Sequence, residues 1–218
     1  FSGDQLSAID SSDMPSMSLA AVGAITGGQI SQLTTSQLSR LTSAQIAAIS
    51  TSAIDDLTAD QVTGLTSAQV GSLTANQIAA LTQDQVKALD PAQDIAALGT
   101  AGLKAMTSVQ IGALTTAEAA QISVAQLAQI SGDNLSKMAA DATSSLSTSA
   151  FRSLSATQLA KLTTDQVATL ATKQIAAIAT DVVKSLTSAQ IRALTTAQID
   201  AFTTAAITQL SAEQIAAL

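Results

Sequence analysis

Apolar residues recur along the chain with a period of eight. The frame is set by the octad Leu41-Thr42-Ser43-Ala44-Gln45-Ile46-Ala47-Ala48. It holds from Phe1 to Ala88, is interrupted by one nine-residue unit at 89–97, and continues in octads to Ala217. Position 1 is apolar in every unit, and position 6 is Ile, Val, Leu, Met or Phe in nearly all. A fixed period of this kind indicates a repeat architecture in which each unit is one small structural element.

One continuous helix does not fit this period. Eight residues exceed two helical turns by about 0.8 residue, so position 1 would rotate by roughly 80° in each repeat. The apolar residues would then circle the helix and form no buried stripe. A β-solenoid is the alternative that stays open, because Thr and Ile favour strands. However, Ala and Gln do not, and Leu-Thr-Thr-Ala-Gln-Ile lacks a clean alternation of apolar and polar residues.

The polar positions favour one short helix in every octad. Position 2 is Ser, Thr or Asp in 23 of 27 units, and position 5 is Gln in 17. With position 2 as the N-cap, its side chain accepts the N–H of position 5, and Gln reaches back to the cap N–H. Positions 1 and 6 then form a hydrophobic staple across the helix start. We therefore predict an all-α solenoid of very short capped helices, one per octapeptide. A Gln ladder along the stack is the other role for position 5, and capping is the simpler interpretation.

Charged residues are segregated within the octad as a helix dipole prefers. Eight of sixteen acidic residues lie at position 4, near the predicted helix start, and eight of nine basic residues lie at positions 7 or 8. Asp10 and Asp90 occupy the cap position itself. Pro91 follows Asp90 at the predicted first helical position, where proline is tolerated. A strand model predicts no such segregation.

Helices this short depend on their neighbours, because isolated helices need roughly 12–15 residues. We expect positions 1 and 6 to point inward and the small residues at positions 7 and 8 to allow close helix approach. Two to four helices per coil all fit the sequence. The prediction is a single octapeptide-repeat solenoid over 1–218, with a register shift at 89–97. Irregular units at 138–153 lose Gln and place Thr143 inward, so we expect a softer zone or a contact surface there. Neither end looks capped, which suggests part of a longer protein or a filament subunit.

Composition narrows the chemistry. The chain has no Cys and no His, so we expect no disulfides, thiolate or imidazole catalysis, and no zinc site of the usual kind. Its formal charge of −7 argues against nucleic acid and anionic membrane surfaces as partners. No apolar run approaches the roughly 20 residues of a membrane span. We expect no enzyme activity, no cofactor and no metal.

Three local features have a simple structural explanation. Asp55-Asp56 is the only adjacent acidic pair, and we interpret it as a solvated helix end. Asp10 and Asp13 are interpreted as capping and solvated residues of a loose early unit. Gly27-Gly28 lacks the lysine and the spacing of a phosphate-binding loop. None of these is predicted to be a catalytic, cofactor-binding or metal-binding residue.

The octad consensus resembles a known class of repeats. Leu65-Thr66-Ser67-Ala68-Gln69-Val70 and Leu194-Thr195-Thr196-Ala197-Gln198-Ile199 resemble the Ala/Thr-rich octapeptide repeats of large secreted bacterial surface proteins. The resemblance implies an extracellular, adhesin-like or matrix-forming role. We therefore expect a structural filament or surface fibre that self-associates end to end. The alternatives are an adhesion or binding scaffold, which could be a stalk, and an ice-binding Thr array.

Overall fold

The computed structural model describes residues 2–218, and all regular structure in this range is helical. The all-α prediction is confirmed, and the β-solenoid alternative is wrong. The helices are four to seven residues long, apart from two 3-10 turns at Ser11–Ser16 and Val183–Ser185. Short helices follow one another at nearly every octad, as the capping pattern predicts.

The α-helices up to residue 113 are Gly3–Ser7, Leu19–Gly23, Gly27–Ile30, Thr35–Arg40, Ser43–Ala48, Thr51–Asp55, Ala59–Thr63, Ser67–Val70, Ala75–Ala80, Gln83–Lys87, Asp94–Ala97, Gly99–Ala105 and Ser108–Ala113. Those that follow are Thr116–Gln121, Val124–Leu127, Gly132–Leu135, Ala140–Ser145, Thr148–Arg152, Ala156–Lys161, Thr164–Thr169, Thr172–Ala177, Ser188–Arg192, Thr196–Asp200, Thr204–Ile207 and Ala212–Ile215.

Most of the helices start at the predicted capping box. At Thr74 the backbone is extended, and its hydroxyl accepts the N–H of Gln77 at 3.3 Å. The Gln77 Oε1 atom in turn accepts the N–H of Thr74 at 2.8 Å. The helix ends at Leu81, which returns to an extended conformation with its N–H bonded to the carbonyl of Ile78. The next cap, Thr82, follows at once, so no helix exceeds about two turns.

Three octads make one coil. In the first part of the chain, helix Thr51–Asp55 packs on Ala75–Ala80, which packs on Gly99–Ala105. In the second, Thr116–Gln121 packs on Ala140–Ser145. The other strongly contacting helix pairs are likewise three repeat units apart. This settles the number of helices per coil that the sequence leaves between two and four.

The chain divides into two compact units, a first unit that ends at Gln110 and a second unit, Ile111–Leu218. Each unit is built from the same three-octad coils. The prediction of a single solenoid domain over 1–218 stays a prediction.

Positions 1 and 6 form the core of each unit. Leu73 is 8% exposed and Ile78 is 4% exposed, and the other regular octads repeat the pattern. Each buried aliphatic side chain contributes about 1.5–3 kcal/mol relative to exposure. Small residues at position 7 bring successive coils close together. A Cβ added to Gly71 would lie 2.9 Å from the carbonyl oxygen of Ala97 in the next coil.

The helix of the nine-residue unit starts later than the sequence predicts. The helix begins at Asp94, and Pro91 lies in a turn rather than at the first helical position. The Asp90 carboxylate accepts the N–H of Ala92 at 2.8 Å, so it caps this turn and not a helix. Beyond the extra residue, Gly99 adopts a φ of 61°, a left-handed conformation that glycine tolerates.

Thr143 points inward as predicted and is fully buried. Its hydroxyl bonds to the carbonyl of Ala139 at 3.0 Å and accepts from Gln166 Nε2 at 3.1 Å. The polar side chain is therefore satisfied within the core. The softer zone or contact surface expected at 138–153 stays a prediction.

Candidate functional site

The glutamines at position 5 have two roles, and they form the most distinctive polar feature of the molecule. Gln77 is 1% exposed. While its Oε1 atom completes the capping box, its Nε2 atom donates to the carbonyls of Ile46 and Ile49, both at 2.8 Å. These carbonyls belong to the preceding coil. One amide therefore both starts a helix and ties two coils together.

The same inter-coil bonds recur along each unit. Gln61 donates to Ile30 and Leu33, at 2.8 and 2.7 Å. Gln190 donates to Leu159 and Leu162, at 2.9 and 2.7 Å. In each case the acceptors lie 31 and 28 residues before the donor. We call these stacked bonds the glutamine ladders. Further rungs are supplied by Gln37, Gln45, Gln69, Gln85, Gln110, Gln158, Gln166, Gln174, Gln198 and Gln214.

The interpretation of Gln as a cap alone is therefore incomplete. A capping box accepts Glu as readily as Gln, because only the side-chain oxygen is used. Yet position 5 holds Gln in 17 units and Glu only at Glu118. Acidic residues are otherwise favoured near a helix start. The scarcity of Glu at position 5 was therefore the sequence signal that could have revealed the second role of Gln. It indicates that the amide N–H₂ group is also needed.

At Asp94 a carboxylate takes the place of the glutamine amide. The carboxylate accepts the N–H of Asp90 at 2.8 Å, so it replaces Gln as the oxygen that reaches back to the cap. It lines a cavity of about 470 Å³ together with Asp90, Ser67 and Leu65. An ionised carboxylate cannot donate to the carbonyl of Leu65. Burial raises the pKa of Asp94 from its usual value, against the hydrogen bonds from Asp90 and Ser67, which lower it.

We expect Asp94→Asn to stabilise the first unit at neutral pH. The pKa of Asp94 is raised in the folded state. Protonated Asp94 therefore stabilises the fold at pH values below the unfolded-state pKa of about 3.9, and this contribution is lost as the pH rises through the folded-state pKa. An amide keeps the acceptor and adds a donor, so unfolding at pH 7 should cost about 1 kcal/mol more.

Denaturation of Asp94→Asn and of the unmodified chain at pH 7 and pH 3.5 measures both effects. The gain should shrink at low pH, and exposed Asp60→Asn is the matched control. A loss of stability at pH 7 in Asp94→Asn would show that the Asp94 carboxylate does not weaken the ladder.

The three local features singled out in the sequence lie away from the glutamine ladders. The Asp56 carboxylate lies against Gly27, where an added Cβ would overlap it, so the structure brings the acidic pair and the glycine pair together. The carboxylate of Asp10 accepts the N–H and hydroxyl of Ser12, at 2.8 and 2.7 Å, and these bonds lower its pKa. Asp13 is exposed. Within residues 2–218, no three acidic side chains converge as a metal site would require.

One exposed ion pair links successive coils in the second unit. Lys161 Nζ lies 2.8 Å from Asp133 Oδ1, and the bond holds the pKa of Asp133 below its usual value. Surface pairs of this kind contribute little to stability. The buried Gln amides, not the charges, are therefore the main polar link between coils.

Two stretches of the chain, residues 92–124 and 168–204, match the model of the ALTTAQ repeat family. Both segments resemble ALTTAQ repeats. The second contains the motif letter for letter, from Ala193 to Gln198. The chain is thus a tandem-repeat protein, in agreement with the octad frame. The comparison with curated proteins gives no match. None of the described helices has the length and apolar character to cross a membrane.

Proposed function

We propose that this protein is a structural repeat protein whose coils stack to build an extracellular filament or surface fibre. The observation that carries the proposal is the repetition of one inter-coil contact within each unit. Most rungs use a glutamine amide as donor and the carbonyls 31 and 28 residues earlier as acceptors, and every rung runs in the same direction along the chain. A contact that recurs in this way can be added repeatedly, which is the requirement for a fibre built from stacked solenoid units.

The surface supports the same role. Exposed positions hold mostly Ser, Thr and Ala, with acidic residues at helix starts and basic residues at helix ends. Such side chains keep the surface of a long repeat hydrated and similar from one octad to the next. The extracellular location rests on the resemblance to repeats of large secreted bacterial surface proteins.

Assembly is tested by a concentration series of the purified chain. Sedimentation velocity and negative-stain electron microscopy should show particles that lengthen with concentration at constant width. A species that stays monomeric at every concentration would rule out self-assembly. Location is tested by brief protease treatment of intact source cells, which should remove the chain while intracellular proteins survive. A fully protected chain would contradict the extracellular role.

A further inference from the structure

Two glycines at position 3 of their octads lie directly beneath a charged side chain of the next coil. A Cβ added to Gly27 would lie 2.9 Å from the Cβ of Asp56 and would overlap its carboxylate. A Cβ added to Gly132 would lie 2.9 Å from the Cγ of Lys161, whose stem crosses this glycine to reach Asp133. In both pairs the charged residue occupies position 8 and follows the glycine by 29 residues. The glycine therefore provides the space that the charged side chain occupies.

The same spacing joins two further pairs. The side-chain amide of Gln32, at position 8, lies where a Cβ on Gly3, at position 3, would be. Thr35 and Gly64 exchange the roles, since a Cβ added to Gly64 at position 8 would lie 2.9 Å from the Cβ of Thr35 at position 3. We call these four contacts the matched pairs. Every octad that has glycine at position 3 belongs to one of them.

Charged or amide residues at position 8 that lack such a glycine coincide with irregular octads earlier in the chain. Arg40 and Gln209 stand at position 8, 29 residues after the Ser and the Thr at position 3 of octads 9–16 and 178–185. Both of these octads form a 3-10 turn instead of an α-helix. A long polar side chain at position 8 that has an octad of its own unit below it is therefore matched by glycine or by a departure from the regular helix.

A repeat of nearly identical octads needs a feature that sets which octad stacks on which. The glutamine ladders do not provide it, because most rungs use the same groups and would form between other octads as well. A coil of two or four octads would place Asp56 over Thr35 or Leu19, which both lie in α-helices and carry a side chain. Lys161 would likewise lose its glycine in either direction. The matched pairs are satisfied together only with three octads per coil.

We propose that the matched pairs set the register in which coils stack within each unit. The glutamine ladders hold neighbouring coils together, and the matched pairs determine which octads become neighbours. A wrong register brings two side chains into the space that one occupies in the native coil, and overpacking of this kind destabilises a packed contact. The proposal concerns folding within one chain and does not depend on the proposed fibre.

Exchange of the two members of one pair tests the steric match. Gly27→Thr should raise the equilibrium constant for unfolding about fivefold or more, because its Cβ meets Asp56. Gly28→Thr is the matched control in the same helix, where an added Cβ meets open space. Gly27→Thr combined with Asp56→Gly copies the Thr35–Gly64 pair and should be at least as stable as Asp56→Gly alone. Equal losses at Gly27 and Gly28, or no recovery in the double variant, would overturn the steric match.

Removal of two pairs without an added clash tests the register itself. Gln32→Ala combined with Asp56→Ala deletes both long side chains of the first unit and should leave the helix content unchanged by circular dichroism. The chain has ten glycines, and isotopically labelled glycine reports the register by NMR spectroscopy. Different registers interconvert only when a coil opens, so each register gives its own amide signals.

The unmodified chain should give one amide signal per glycine, and the double variant should give additional signals from a second register. Ser31→Ala combined with Asp55→Ala changes exposed residues one position earlier in the same two octads and should still give one signal per glycine. One signal per glycine in the variant that lacks the Gln32 and Asp56 side chains would overturn the proposed register role.

Discussion

Gln77→Glu is expected to lower the unfolding free energy of the first unit by about 3–6 kcal/mol. The carboxylate keeps the oxygen that accepts the Thr74 N–H, so the capping box survives. It loses both donated bonds and places a buried negative charge 2.8 Å from two carbonyl oxygens. The Ile46 carbonyl still accepts the N–H of Ile49, but the buried Ile49 carbonyl loses the glutamine amide. A buried acceptor left unsatisfied costs about 1–3 kcal/mol, and the buried charge adds to this loss.

The neighbouring residue supplies a matched control. Asn76→Asp makes the same amide-to-acid change one residue earlier, at an exposed position 4 near the helix start. An acid there suits the helix dipole, so stability should change by no more than about 0.5 kcal/mol. Hydrogen exchange of the amides in Ala75–Ala80 reports the local free energy. Equal effects of the two substitutions would show that Gln77 acts only as a cap.

Leu73→Asp is expected to unfold the coil in which it lies. Leu73 is 8% exposed and opens its octad at an inward position, so the substitution buries an unpaired charge in the apolar row. Loss of the side chain alone costs about 2–5 kcal/mol, and the buried carboxylate increases the loss. Far-ultraviolet circular dichroism should show lost helix, since each helix depends on the neighbouring coils.

Val109→Asp controls for the added charge. Val109 is 57% exposed at position 4, so the acid should be tolerated. Both variants are compared by circular dichroism and urea denaturation. An unchanged spectrum and midpoint for Leu73→Asp would contradict the inward assignment of position 1.

The sequence was enough to predict the helices and their core. The hydroxyl at position 2, the Gln at position 5 and the apolar residues at positions 1 and 6 lie within one octad, and local spacing decides whether they can interact. Thr74 and Gln77 form the predicted box, and Leu73 and Ile78 are buried as predicted. Local patterns of this kind can be read without knowing the tertiary fold.

The number of octads per coil could not be predicted. It depends on the angle between successive helices, which is set by backbone torsions such as those of Leu81 and Thr82 at the junction. Those residues are the same Leu and Thr whether two, three or four helices make a coil. For the same reason the second role of Gln77 was missed, because its acceptors Ile46 and Ile49 lie 31 and 28 residues away.

The nine-residue unit shows how the fold accommodates one extra residue in the repeat. Gln110 donates to Ile78 and Leu81, which lie 32 and 29 residues earlier instead of 31 and 28. The extra residue is held in the turn at Pro91, and Asp94 supplies the oxygen that reaches back to Asp90. The core row continues at Ile95, which is fully buried. The inter-coil contact is therefore kept on both sides of the insertion.

Oxidative cross-linking tests the three-octad coil most directly, because the chain has no cysteine of its own. The Ser43 hydroxyl lies 3.4 Å from the carbonyl of Ala68, at position 4 of the third following octad. Ser43→Cys is therefore combined in turn with Ala68→Cys, Asp60→Cys and Asn76→Cys, which place the second thiol three, two or four octads further on. Only the pair with Ala68→Cys should form an intramolecular disulfide rapidly. Faster closure with Asp60→Cys or Asn76→Cys would contradict three octads per coil.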